Sequence, residues 1–232
     1  MKLTQTLLTI AVPCLLISNV VLANTVNVTA TANIFSAGLL TPVAPGGGGT
    51  GILPVQVSLT PGLGTLQFQV SGDVSPNFSQ FDLHGEGTPN YITILNSYGG
   101  ISGFKADKAF PFVGVFLTAT TPQAPAPSTL DFSAGAIGRN FLSLSPQIGQ
   151  VFFIGDGVTD GNQIQTFYAP AGATSLYLGF GDAYLFQGDI GQYQDNVGSL
   201  NVVVTAVPEP TTVALMLVGS ALMIAGRCRK TR

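Results

Sequence analysis

The 232-residue chain lacks tryptophan, has one histidine and two cysteines, and carries charge on only 8% of its residues. Cys14 and Cys228 lie near the two ends, so the central part of the chain has no disulfide and depends on its own core. His84 lies in a glycine-containing segment, which favours an exposed loop over a metal or catalytic role. No nucleophile elbow, Ser/His/Asp set, Cys/His metal spacing or phosphate loop is present. The sequence therefore indicates no enzyme, and the lack of tryptophan and of a paired-carboxylate motif argues against a glycoside hydrolase.

Positive charge is also scarce in the central part of the chain. Residues 24–207 hold three basic side chains against ten acidic ones, a net charge of −7, whereas the whole chain has a formal net charge of −3. The basic residues are Lys105, Lys108 and Arg139, and the acidic ones are Asp73, Asp82, Glu86, Asp107, Asp131, Asp156, Asp160, Asp182, Asp189 and Asp195. So few cations cannot neutralise phosphates, which excludes a nucleic-acid partner. The acidic side chains instead suit divalent cations.

The last 26 residues, from Val207 to Arg232, have a three-part layout. The tripeptide Pro208-Glu209-Pro210 is followed by an uncharged apolar segment, residues 211–226, and by a basic stub, residues 227–232, that includes Arg227 and Arg229. Because long basic side chains reach the headgroups, the segment is predicted to span the membrane as a helix with its basic end in the cytoplasm. This order resembles the PEP-CTERM signal that exosortases recognise in exopolysaccharide-producing Gram-negative bacteria. The alternative is an ordinary C-terminal anchor.

The N-terminus predicts export. Lys2 precedes an apolar run from Leu7 to Val21, and small residues at Val21 and Ala23 fit the positions that signal peptidase requires. We therefore predict a signal peptide over residues 1–23, cleaved after Ala23, an exported domain over residues 24–206 and a sorting tail over residues 207–232. The PEP-CTERM resemblance implies an exosortase partner and a precursor anchored in the inner membrane. It also implies a final location at the cell surface or in the extracellular matrix.

Short segments rich in alternating apolar residues recur between Gly and Pro turns. Leu66 and Phe68 alternate with glutamines, which is typical of a strand with one buried face. Nine strands are predicted, at Val26–Ala32, Val55–Leu59, Thr65–Val70, Tyr91–Leu95, Phe112–Leu117, Val151–Ile154, Gln163–Tyr168, Ser175–Phe180 and Ser199–Thr205. Without an internal repeat or a helical period, this pattern predicts an all-β fold, a single β-sandwich or jelly-roll-like domain.

Two segments of low complexity, Pro42–Gly51 and Thr118–Ser128, predict loops. The second segment has an alternative interpretation as a linker between two domains. The predicted strands on either side of it number about five and four, too few for two independent sandwiches. A single exported domain is therefore favoured.

Two Asp-Gly sequences, Asp156-Gly157 and Asp160-Gly161, are the first candidates for a calcium loop. Their spacing does not follow the EF-hand pattern. An Asp-Gly pair before a strand is a common signal of a hairpin turn, so a turn is the favoured interpretation.

The segment Gly179–Val204 is a stronger candidate. Asp182 follows one predicted strand and Asp195-Asn196 precedes the next, with a glycine-containing loop between them. This arrangement predicts that three oxygen-bearing side chains meet, and calcium takes six to eight oxygen ligands from carboxylates, amides and backbone carbonyls. The alternative is that these residues only shape turns and solvate the loop.

The sequences PAGATSLYLGFGDAY and GQYQDNVGSLNV are similar to the end of the PA-IL-type galactose-binding bacterial lectins. The resemblance implies a β-sandwich that binds galactosides through calcium. It implies side-chain ligands at Asp182, Asp195 and Asn196, with backbone carbonyl ligands near Gln192 and from the loop VSGDVSPN, at Ser75 or Pro76. The family's sugar-contacting His and Gln have no counterpart near His84, so calcium is better supported than a particular sugar.

These observations lead to two hypotheses. The first is an exported surface or biofilm-matrix protein, processed by an exosortase, with a calcium-dependent domain that binds a carbohydrate such as an extracellular polysaccharide. The second is a structural or adhesive matrix protein of the same fold without a sugar site, in which calcium only stabilises the fold.

Overall fold

The computed structural model describes residues 22–60, 64–77 and 82–207. Most of the predicted signal peptide, the tripeptide Pro208-Glu209-Pro210, the predicted helix 211–226 and the stub with Arg227 and Arg229 lie outside the described residues. Within the described part the fold is all-β, with fourteen strands, three short helical turns and no α-helix. No helix there has the length and hydropathy needed to cross a membrane.

The strands form three sheets. They are β1 Leu22–Thr29, β2 Val55–Ser58, β3 Thr65–Ser75, β4 Asp82–Leu83, β5 Thr93–Leu95, β6 Phe104–Ala106, β7 Phe112–Leu117, β8 Leu130–Phe132, β9 Ser143–Leu144, β10 Val151–Phe153, β11 Thr166–Tyr168, β12 Ser175–Phe180, β13 Gln187–Gly188 and β14 Val197–Val207. The first sheet has the order β1-β14-β3-β11-β9, with β4 on β3, the second β10-β7-β12-β2, and the third β13-β5-β6-β8. This architecture is consistent with the predicted sandwich.

The two longest strands, β3 and β14, form the centre of the first sheet. They pair antiparallel over their whole length, from Val197 opposite Ser75 to Val207 opposite Thr65. On its other side β14 pairs with β1, where Ala23 lies opposite Thr205. The peptide bond at which we predict signal-peptide cleavage therefore lies within β1, and both ends of the described chain lie at the same end of this sheet.

Phenylalanine fills the core between the sheets. Leu66 and Phe68 of β3 point inward as their alternation predicts, and the ring of Phe68 packs edge-on against Phe167 of β11 at 5.0 Å. Phe152 of the second sheet lies 5.5 Å from Phe167 of the first, which joins the two sheets. Strands β7 and β12 are almost entirely buried because they lie in the middle of the second sheet.

The segment Thr118–Ser128 is a loop, as predicted, between β7 and β8. Every sheet contains strands from both sides of this segment. The segment Pro42–Gly51 is likewise outside the strands, but it packs closely against the residues described next.

Candidate functional site

The structure brings the predicted calcium ligands to one end of the sandwich. Asp182 lies two residues beyond the end of β12, and Asp195 and Asn196 immediately precede β14. The loop between them folds back on itself, because the amide of Gly191 donates to the carbonyl of Asp182 at 2.9 Å. Ser75, at the end of β3, pairs with Val197. Residues far apart in the sequence therefore converge where three strands end or begin.

A cavity of about 250 Å³ opens at this end of the domain. Its polar lining includes Asp182, Gln192, Asp195 and Asn77, and buried Pro76 adds part of the early loop. Asn196 is 5% exposed, and its side chain hydrogen-bonds to Asp182, which lines the cavity. Gln192 has a left-handed backbone with φ 67° and ψ 23°, a conformation that only some residues adopt readily. Three of the five predicted ligand residues, Asp182, Gln192 and Asp195, thus line one cavity, with Asn196 next to Asp195 in the chain and Ser75 in the adjoining strand.

Asp182 is an unusual carboxylate because only 2% of its surface is exposed. Burial raises the pKa of Asp182 well above its ordinary value. Hydrogen bonds with the Asn196 side chain and the Ala183 amide lower this pKa in part, and the charge of Asp195 raises it. The Ala183 amide donates to Asp182 Oδ1 at 2.8 Å. A buried carboxylate next to a like charge is unfavourable without a proton or a cation to balance it.

Two oxygen atoms of this cluster are buried without a partner. Across the described part of the chain, no hydrogen-bond donor reaches Asp195 Oδ1 or Asn196 Oδ1. The amide nitrogen of Asn196 is engaged, since it donates to the carbonyl of Ala30 at 3.4 Å. An unsatisfied buried acceptor costs about 1–3 kcal/mol. Two such atoms next to the buried carboxylate of Asp182 are an uncommon combination in a folded protein.

Tyr193 supports the backbone of Asp182 through a buried hydrogen bond. Its ring is fully buried, and its hydroxyl accepts from the amide of Asp182 at 3.2 Å. The single proton of this hydroxyl is shared between two acceptors, Asn33 Oδ1 and the carbonyl oxygen of Phe180, each 3.0 Å away. Burial, and next to it the charge of Asp182, raise the pKa of Tyr193 well above its ordinary value, so the phenol keeps its proton. This tyrosine fixes the backbone from which Asp182 projects.

The glycine-rich loop forms the back of the site. Gly46 donates to the carbonyl of Ile190, and Gln192 and Gln194 donate to the carbonyls of Gly47 and Gly48, at 2.8 to 3.2 Å. Gly51 has a left-handed backbone, φ 66°, and a Cβ there would lie 2.3 Å from the carbonyl oxygen of Thr31. Low complexity predicted only a loop here. The run of glycines was a signal that this loop packs closely against the backbone of another segment, and the sequence analysis did not use it.

The other candidates from the sequence lie elsewhere. His84 is exposed on the far side of β3, in a left-handed conformation. Asp160 lies in a turn, where the amide of Thr159 donates to the carbonyl of Gln163 at 2.9 Å and Val158 bridges to Ile164. The Asp156–Gly161 segment is therefore part of a hairpin, as the turn interpretation predicts.

The donor set fits calcium better than a transition metal. It offers two carboxylates, one amide and nearby backbone carbonyls, all of them oxygen ligands. Among residues 22–60, 64–77 and 82–207 no group of three or more His, Cys, Asp or Glu side chains is arranged so that it could hold a metal ion. A calcium ion here would have fewer charged ligands than in an EF-hand, and carbonyl, amide or ligand oxygens would have to complete its six to eight positions.

Comparison with known proteins identifies the tail. The sequence model of the PEP-CTERM protein-sorting motif matches residues 206–230. This match supports an exosortase-processed, exported surface protein that is anchored transiently in the membrane before processing. No curated protein and no solved structure matches the chain. The resemblance to lectins is therefore supported by no homologue and depends on the residues of the site.

Proposed function

We propose that this exosortase-processed surface protein binds a calcium ion through Asp182, Asp195 and Asn196 and uses the ion to hold a carbohydrate. The observation that carries the proposal is the pair of buried, unpartnered oxygens beside the buried carboxylate of Asp182. A calcium ion balances the two carboxylates and gives Asp195 Oδ1 and Asn196 Oδ1 a partner. Each of these atoms is costly in the folded protein without one.

The open cavity supports a ligand beyond the ion. The cavity is open to solvent, and Asp182, Gln192 and Asp195 line it. A calcium ion that keeps coordination positions on the open side binds a pair of neighbouring hydroxyls in place of water. Carbohydrates offer such pairs, and this route of recognition suits a domain with few cationic side chains.

The position of the site suits display at a surface. Strand β14 begins directly after Asn196 and ends at Val207, next to the matched sorting motif. Eleven residues of strand span roughly 35 Å. While the tail is anchored, the site therefore lies at the end of the sheet that is distant from the membrane, where extracellular polysaccharide is accessible.

Calcium titration tests the first half of the proposal. In protein purified from an exosortase-carrying host, calcium at about a hundred times its dissociation constant adds roughly 2.7 kcal/mol of stability. For a domain of this size that corresponds to about 5–10 °C in Tm, and chelator reverses it. Asp195→Ala should remove most of this response without lowering the Tm of the calcium-free protein, because it deletes a half-buried charge of the same sign as Asp182.

The matched control is Asp160→Ala, since Asp160 lies in the hairpin turn and contacts Asn140. It should leave the calcium response intact. No calcium response in the wild type, or loss of the response in the Asp160 variant alone, contradicts the site assignment. Glycan arrays probed with and without chelator test the second half. A calcium response without any calcium-dependent glycan binding would favour the matrix protein in which the ion is only a staple.

A further inference from the structure

Large apolar side chains surround the candidate site on its open side. Tyr184 is 71% exposed, Leu185 63% and Tyr91 46%, and all three line the cavity that contains Asp182 and Asp195. Exposed aromatic and aliphatic side chains that meet at one cavity, next to polar groups, are typical of a ligand site.

The backbone that presents these side chains is strained. Leu185 and Phe186 are consecutive non-glycine residues with left-handed φ values of 54° and 60°. Such conformations cost of order 1–3 kcal/mol each, persist only when the surroundings enforce them, and occur preferentially at functional sites. Here the strained residues are Leu185, which is itself exposed, and Phe186, and they directly follow exposed Tyr184.

The surroundings do enforce this conformation. The amide of Phe186 donates to the carbonyl of Ala183 at 2.8 Å, and its ring packs edge-on against Tyr91 at 5.6 Å. The next two residues form β13, which pairs with Ile94 and Leu95 of β5. Asn96 adds a hydrogen bond to Asp189 at 2.9 Å. The apolar wall of the cavity, formed by Tyr184, Leu185 and Tyr91, is therefore preformed and fixed to the third sheet.

The cavity has a size and a polarity that restrict its occupant. At about 250 Å³ it is smaller than the roughly 300–1,000 Å³ of sites for drug-sized ligands, so it suits one small ring. Its floor is acidic and its wall is aromatic. A matching occupant carries hydroxyls on one edge and exposed C–H groups on one face, which is the chemistry of a single pyranose.

We infer that Tyr184, Leu185 and Tyr91 form a stacking platform that packs against the C–H face of one pyranose ring whose hydroxyls point toward Asp182 and Asp195. This inference rests on the proposed calcium-dependent carbohydrate binding and adds the side chains that select the ring. The platform contributes through contact area and ring orientation, and it takes no part in holding the ion.

The test uses an array of immobilised galactose, glucose, mannose, fucose and N-acetylglucosamine glycosides, with the processed protein in saturating calcium. Tyr184→Ala should lower binding to the preferred glycoside roughly three- to tenfold, because an aromatic contact is lost. Tyr184→Phe keeps the ring and should bind like the wild type. Tyr168→Ala, at an exposed tyrosine of β11, is the matched control and should have no effect. All variants should keep the calcium-induced increase in Tm.

The outcomes separate the platform from the calcium site. Wild-type binding that Tyr184→Ala leaves unchanged overturns the platform and leaves the proposed function intact. Loss of the calcium response in Tyr184→Ala also overturns it, because the side chain then belongs to the ion site. Absence of calcium-dependent binding to every glycoside overturns both. A dimer that dissociates only in Tyr184→Ala assigns the apolar wall to self-association instead.

Discussion

The hydroxyl of Tyr193 donates to Oδ1 of Asn33, a residue 160 positions earlier in the chain, at 3.0 Å. Asn33 also accepts from the Phe35 amide and donates to the carbonyls of Val43 and Thr50, so its buried side chain is fully engaged. One tyrosine therefore ties the loop of the candidate site to the first loop of the domain. The backbone position of Asp182, one of the proposed calcium ligands, depends on this connection.

Replacing Tyr193 by phenylalanine should weaken both the fold and the site. The buried amide of Asp182 loses its acceptor, at a cost of about 1–3 kcal/mol. The Tm should fall by about 2–4 °C for each kcal/mol, and the calcium-induced increase should be smaller. Differential scanning calorimetry with and without calcium measures both effects. Tyr168→Phe, at an exposed ring, should change stability by less than about 0.5 kcal/mol. Equal behaviour of the two variants would contradict the anchoring role.

The longer strands followed from the sequence, because their apolar residues alternate or form buried runs. β7 and β12 have the predicted bounds, and Val55, Thr65 and Val151 begin strands as predicted. Much of the third sheet was missed, since β6, β8 and β13 have two or three residues each and show no period. β14 extends two residues beyond both predicted ends because β3 pairs with it throughout.

The sequence also predicted which residues would meet at the site, since Asp182 and Asp195-Asn196 flank consecutive long strands. It did not predict their support. Tyr193 and Asn33 are ordinary polar residues in the sequence, and only the fold makes them neighbours. Tyr91, Tyr184 and Leu185 were equally undetectable, because only the fold brings the two segments to one cavity.

Gly51 and Gly47 give a matched pair for testing the glycine-rich loop. Both have left-handed backbones, but a Cβ at Gly51 would lie 2.3 Å from the Thr31 carbonyl oxygen, whereas one at Gly47 has no described heavy atom within 4 Å. Gly47→Ala should cost about 1–2 kcal/mol from backbone strain alone. Gly51→Ala should cost clearly more and reduce calcium affinity, because Tyr193 must move. Chemical denaturation and calcium titration measure these losses, and similar values for the two variants would refute the backing role.

The stability of the calcium-free protein should fall as pH rises. Burial raises the pKa of Asp182 in the folded protein, so the folded state holds this proton more tightly than the unfolded state does. The associated stability is fully present below the ordinary pKa of about 4 and is lost as pH rises through the raised value. Burial also raises the pKa of Glu86, so this residue adds a pH dependence of the same sign.

Asp182→Asn should therefore flatten most of this pH dependence, leave the part due to Glu86 and stabilise the calcium-free protein at neutral pH. Calcium should have the opposite dependence, with its effect largest at neutral pH and lost in acid, because protons compete for Asp182. Denaturation curves between pH 4 and 8, with calcium or with chelator, measure both slopes. A calcium-free stability that increases with pH over this range would contradict the role given to Asp182.

Arg139 pairs with Glu86, the other carboxylate whose pKa is raised by burial. Its Nε lies 3.0 Å from Asp107 Oδ1 and its Nη1 2.5 Å from Glu86 Oε2, while Lys108 is 3.5 Å from Glu86. Arg139→Ala should destabilise by more than the roughly 0–1 kcal/mol of an exposed pair and less than the about 3–5 kcal/mol of a fully buried one, since Lys108 remains. Urea denaturation measures this loss. Adding Glu86→Gln should recover part of it, whereas Lys105→Ala, at an exposed cation, should be neutral.

Exosortase processing should leave the domain complete through Val207. Strand β14 pairs with β3 up to that residue, and β1 covers its other side up to Ala206. Peptide bonds within a paired central strand are inaccessible to an enzyme unless the sheet opens, whereas the matched motif extends to residue 230.

In a host that carries an exosortase, intact mass and C-terminal peptide mapping of surface-localised protein should find a C-terminus after Val207 and no residues 227–232. In a host without the enzyme the stub should remain. A mature chain that ends within Val197–Ala206 would show that the sheet opens during processing, and retention of Arg227 on surface protein from the exosortase host would contradict processing itself.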